Sequence, residues 1–125
     1  MIRGVRGATT VEQNSEVLIL SATEELLAKM IEFNEVSPEA VASVFISTTN
    51  DIDAAFPAKA LRNFPEWTYV PVMCMQEMQV PHSLQLCIRV MLHLNTDKAQ
   101  SEIVHVYLKD AQSLRPDLSE TGLQK

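Results

Sequence analysis

The run Cys87-Ile88-Arg89-Val90-Met91-Leu92 sets an arginine in the middle of an apolar, strand-forming stretch. Successive side chains of a strand alternate between faces, so Ile88 and Val90 pack on one side while Arg89 projects from the other. A guanidinium is charged at every physiological pH and is rarely buried without a partner. Arg89 therefore pairs with an internal acid, reaches solvent along its stem, or waits for an anion. The strand itself leaves these alternatives open, and it reads as continuing to about Leu94, with His93 near its end.

The other patterns place this strand in an α+β fold. Residues 1–7 (MIRGVRG) read as a short opening strand whose glycines suggest close backbone approach, with Arg6 at its end. Residues 15–34 form the clearest helix, from Ser15 as N-cap to Asn34 at the exit. Ile19, Ala22, Leu26, Met30 and Phe33 follow helical spacing, and Glu24, Glu25, Lys29 and Glu32 form the wet side. Ser37-Pro38-Glu39 begins a helical turn with proline at its first position. A strand is expected over 41–49, then a polar loop at 50–53 and a short helix from Phe56 to about Phe64, with Lys59 and Arg62 on one face. The next strand is expected over 67–75, with Pro71 marking an edge or a bulge. Asp97 is expected to cap a turn over 98–103, before a last strand at 104–108. Pro116 discourages helical geometry at Arg115 and favours an extended or lid-like segment there. The sum is one domain over 1–125, with residues 119–125 as a frayed tail: a mixed five-stranded sheet with one long and several short helices.

Composition narrows the chemistry. A net charge of −6 argues against a general nucleic-acid or anionic-membrane surface. Cys74 and Cys87 form no CxxC or zinc spacing, and Cys87 reads as small apolar filler. His82, His93 and His105 lack metal-ligand spacing, so no metal is expected. Neither a phosphate-binding glycine loop nor a serine-nucleophile motif is present. No secretory leader or membrane-spanning run is read, and a cytoplasmic setting with reduced thiols is expected. What remains is a set of cationic and hydrogen-bonding groups at strand ends and helix starts: Arg6, Lys59, Arg62, Arg89, Tyr107 and Arg115, with Glu77 as the leading acid. Arginine makes bidentate contacts to carboxylates, so this set suits holding and polarising a small polyanion.

RGVRGATT at 3–10, AFPAK at 55–59, CMQEM at 74–78, CIRV at 87–90, HVYL at 105–108 and LRPDL at 114–118 together resemble the trimeric chorismate mutases of the AroH class. The resemblance implies a homotrimer with a barrel-like core of sheets, helices outside, and active sites in clefts between subunits. It also implies the pericyclic rearrangement of chorismate to prephenate, with no cofactor, metal or covalent intermediate. By resemblance, Arg89 stabilises charge on the breaking ether oxygen, and Arg6 and Tyr107 hold the side-chain carboxylate. Glu77 and the Cys74 backbone meet the ring hydroxyl, and Glu77 equally braces Arg89 in the empty site. Phe56, Ala58 and Met73 form a wall from the neighbouring subunit. Lys59, Arg62 and Arg115 lie at the mouth, the Arg115 tail closing over the ligand, and Leu114 also binds substrate. Met73 stands where some relatives carry threonine, so a side-chain hydroxyl is lost there. The alternative reading is a trimeric module that senses a small carboxylate without converting it.

Overall fold

The computed structural model describes residues 1–119. Strand β1 (Ile2–Thr10) leads into helix α1 (Glu16–Asn34), and β2 (Val41–Thr48), β3 (Val72–Gln76), β4 (Cys87–Asn95) and the two-residue β5 (Val106–Tyr107) follow. Five 3-10 segments and a short helix α2 (Pro116–Ser119) fill the connections. The strands form one mixed sheet in the order β3-β2-β4-β1-β5. β4 lies at its centre, antiparallel to both β1 and β2, whereas β3 and β5 run parallel to β2 and β1.

Helix α1 covers one face. Ser15 Oγ accepts the Leu18 amide, and the chain leaves the helix through Glu35 in the left-handed region. Ile19, Leu26, Leu27 and Met30 are fully buried against Val5, Val44, Ile46, Ile88, Val90 and Leu92 of the sheet. Gly7 permits this approach: a Cβ there would overlap Met30 Sδ and lie 3.0 Å from Leu26 Cδ1. Asn34, expected to mark the helix exit, is the last residue of α1 and is buried. Its side chain exchanges hydrogen bonds with both the amide and the carbonyl of Val104, tying α1 to the segment before β5.

Several boundaries differ from the sequence reading. β1 runs three residues further, because Thr9 and Thr10 continue the ladder opposite Ile88 and Cys87. The strand expected over 67–75 starts only at Val72. Pro65 begins a 3-10 turn instead, which buries Trp67 under the sheet edge. The turn near residue 100 is closed by Glu102 accepting the Ala99 amide at 2.7 Å, with no role for Asp97 as its cap. The segment around Arg115 is not extended: a 3-10 segment (Lys109–Leu114) precedes it and α2 follows. Pro116 does keep Arg115 out of helical geometry, at φ −142°, ψ 73°, but it then serves as the first residue of α2, where its missing N–H costs nothing. Of the tail expected to fray, residues 120–125 lie outside the described residues.

Among the described residues, the face opposite α1 is covered toward β5, where Ala111 packs with Ala8 and Tyr107, and lacks such cover elsewhere. The register puts Arg6, Ala8, Phe45, Ser47, Met73, Met75, Arg89, Met91 and His93 there together. Met73 is 61% exposed and Met75 42%.

Candidate active site

The centre of the open face is Arg89. Its Nη1 donates to Glu77 Oε2 at 3.1 Å, in an ion pair partly shielded from solvent. Glu77 stands one residue past β3, where its amide donates to the Thr48 carbonyl at 2.8 Å. Its second oxygen, Oε1, accepts the Met78 amide at 3.0 Å. The pair does not exhaust Arg89, because Nε is buried with no hydrogen-bond partner among the described residues.

β1 brings the next two groups alongside. Ala8 sits opposite Arg89 on one side and Tyr107 on the other, a small residue between two large ones. Tyr107 is fully buried, and its hydroxyl also lacks a partner among the described residues. The Arg6 guanidinium carbon lies 5.8 Å from the centre of the Tyr107 ring, within cation–π range. The Arg6 amide donates to Nδ1 of His105 at 3.0 Å. His105 is therefore an acceptor at Nδ1. Burial holds its pKa below the ordinary histidine value, helped by the charges of Arg115 and Arg6. Burial likewise raises the Cys87 thiol, against the opposing pull of Arg89, so Cys87 is a neutral packing group as its sequence context suggests.

Arg6, Ser47, Met75, Glu77, Arg89 and Met91 line a hollow of about 190 Å³. Small-molecule sites usually run to roughly 300–1,000 Å³, so this hollow is smaller than the usual range. Leu114 packs against the Tyr107 cluster from the 3-10 segment after β5. Arg115 follows it, exposed and held by Asp117 through two hydrogen bonds of 3.2 and 3.0 Å. The aspartate raises the guanidinium's pKa further.

The remaining expected site residues lie elsewhere. Phe56, Ala58, Lys59 and Arg62 line a groove along the 3-10 segment Pro57–Asn63 with Trp67 and Val72, on the helix side of the sheet edge. Lys59 pairs there with Glu16 of α1 at 3.1 Å. The side chain of Cys74 also faces this side and lines an adjoining hollow with Phe56 and Lys59. Met73, one residue earlier, faces the open side instead. Within one chain, then, Met73 does not join Phe56 and Ala58 in a wall, and the hollow lined by Arg89 is not one of the two lined by Lys59.

Comparison with known proteins decides the family. A sequence model described as "Chorismate mutase type I" matches residues 2–118. The chain belongs to the type I chorismate mutase family. Chorismate mutase AroH of Bacillus subtilis is 54% identical over 121 residues, 97% of this chain and 95% of that protein. Chorismate mutase AroH of Thermus thermophilus is 46% identical, over 94% of this chain and 97% of its own. A solved chorismate mutase from Clostridium thermocellum superposes with a TM-score of 0.86 at 47% identity, covering 88% of this chain and 97% of that one. The mixed five-stranded fold expected from sequence is thus a type I chorismate mutase fold. His105, which meets the Arg6 amide, is not among the residues that the sequence points to, because its spacing does not announce a backbone partner far away in the chain.

Proposed function

We propose that this protein converts chorismate to prephenate, an isomerisation on the route to phenylalanine and tyrosine, and that residues 1–125 act as one domain. The observation that carries the reading is a pair of buried donors without a partner among the described residues, Arg89 Nε and the Tyr107 hydroxyl, on either side of Ala8, with Arg89 already braced by Glu77. Leaving such groups unsatisfied costs stability, so their persistence points to a polar ligand that completes them.

The mechanism follows from the charges. Chorismate is a dianion with an enol-ether link. As the ether C–O bond lengthens, negative charge gathers on that oxygen. A fixed guanidinium aimed there binds the transition state more tightly than the substrate, which is what accelerates a one-step rearrangement. Arg89 takes this place, with Glu77 fixing its fork and accepting the ring hydroxyl. Arg6 and Tyr107 grip the side-chain carboxylate and hold the compact, reactive conformer. Phe56, Ala58, Lys59, Arg62, Cys74 and Met73 complete the wall and mouth, with Leu114 and Arg115 closing over it.

The two separated groups of residues support a homotrimer in which one subunit's Arg89 group meets its neighbour's Lys59–Arg62 group. The exposed methionines of the open face and the unpaired outer side of β3 suit burial in that assembly. The two free cysteines suit a cytoplasmic setting, and no helix among the described residues is long and apolar enough to cross a membrane.

Chorismate consumption followed by ultraviolet absorbance, in chelator, with Arg89→Ala alongside, tests the reading. Conversion to prephenate that the substitution abolishes is expected. Thermal stabilisation by chorismate without turnover would overturn it in favour of a carboxylate-binding module.

A further inference from the structure

We propose that Asp51 is a positioning residue for the Glu77–Arg89 pair, acting through the loop that joins the two. The inference rests on the roles just proposed for Glu77 and Arg89. Residues 77–86 leave β3 and return as β4, mostly exposed, and carry two non-glycine residues with positive φ: His82 at 66° and Leu86 at 49°. A leucine in the left-handed region is strained and persists only where its surroundings hold it. Both carboxylate oxygens of Asp51 accept the Leu86 amide, at 3.1 and 3.0 Å. Asp51 Oδ1 also accepts the Thr49 hydroxyl at 2.5 Å, and Thr49 Oγ1 accepts the Cys87 amide at 3.0 Å. The Thr49 amide donates to the Cys87 carbonyl at 3.1 Å.

At the other end of the loop, Glu77 hangs from the Thr48 carbonyl. Residues 48–51 therefore grip both ends of the connection whose ends bear the ion pair. Hydrogen bonds to a carboxylate are roughly twice as strong as those between neutral groups. Without Asp51, the Leu86 amide loses its partner in a strained conformation three residues before Arg89, leaving the Leu86 carbonyl on the Val11 amide and Cys87 on Thr49 as the remaining hold on the start of β4. Misplacement of this kind, away from the reacting atoms, erodes the chemical step rather than binding alone.

Two variants grade the effect. Asp51→Asn keeps one acceptor oxygen for Leu86, and Asp51→Ala keeps none. Steady-state chorismate turnover is measured well below each variant's Tm, with hydrogen exchange of residues 77–88 on the same samples. The expected result is a fall in kcat of about tenfold for Asn and about a hundredfold for Ala, with KM changing less, and faster exchange in the loop. If Asp51→Ala does not fold, Asp51→Asn carries the test. In a Glu77→Gln background, Asp51→Asn is expected to cost less than about threefold, because its target is already lost. A kcat within about twofold of wild type for Asp51→Asn, or the same loss in both backgrounds, overturns the proposal. A wild-type protein without turnover strikes the proposed function instead. In that case exchange alone judges Asp51: faster exchange in the variant supports its hold on the loop, and unchanged exchange overturns it.

Discussion

Arg89 is placed by three neighbours that are distant in sequence: Glu77 in front, Ala8 beside it, and Tyr107 beyond Ala8. In the role proposed for it, the planar fork matters as well as the charge. Arg89→Lys keeps a cation but loses the planar donors and the Nε–H, and is expected to lower kcat by at least ~100-fold, about 3 kcal/mol, with the melting temperature little changed. Turnover and calorimetry on one preparation check this. His105 makes a second prediction. Its pKa is held down by burial first, then by Arg115 and Arg6. The unfolded chain therefore takes up a proton near the ordinary value of about 6.5, before the folded one does. The stability tied to neutral His105 is fully present above that pH and is lost as pH falls through the folded-state value. Protonation also turns Nδ1 from acceptor to donor and ends the Arg6 amide bond. Urea unfolding at pH 7.5 and pH 5 is expected to show this slope, and His105→Asn, which keeps an acceptor near Nδ1, is expected to flatten it.

At the scale of elements, the packed pieces were legible and the connections less so. α1 and β4 follow their periodicities closely, because a buried stripe and a two-residue alternation are direct consequences of covering one sheet face. The Glu77–Arg89 pairing was legible too, since an acid just past one strand and an arginine within another are natural partners. The tail was misread because Pro116 restricts the residue before it and also starts the helix after it, and the first rule alone suggested extension. Asp51 and His105 were illegible in their roles because each satisfies backbone groups 35 or 99 residues away. Gly7 shows how tightly β1 and α1 meet. Gly7→Ala is expected to destabilise the protein by about 1–3 kcal/mol through overpacking at Met30 and Leu26, read as a lower midpoint in chemical unfolding.

Over the whole molecule, the residues proposed for the site fall in two groups: Arg6, Glu77, Arg89 and Tyr107 on the open face, and Phe56, Lys59 and Arg62 beyond the sheet edge. This division predicts complementation. Arg89→Ala and a Lys59→Ala/Arg62→Ala double variant are each expected to be poorly active. Co-refolded, they are expected to recover activity, because some sites then combine an intact Arg89 with a neighbour's intact Lys59 and Arg62. Light scattering is expected to give three times the 14.0 kDa of one chain. Activity that fails to recover in verified mixed assemblies would place each site within one subunit.

The grip of residues 48–51 on both ends of the 77–86 loop has a consequence for how the gene can change length. The exposed middle, around Gln79 to His82, takes no part in the hydrogen bonds that form either anchor, so inserting one or two residues there lengthens a bulge between fixed posts. One residue inserted after Ile88 would instead move Arg89 to the helix side of the sheet and bring its apolar neighbours out. A library of single-residue insertions across 76–92, selected for growth without phenylalanine and tyrosine, is therefore expected to tolerate the loop's centre and to reject the strand.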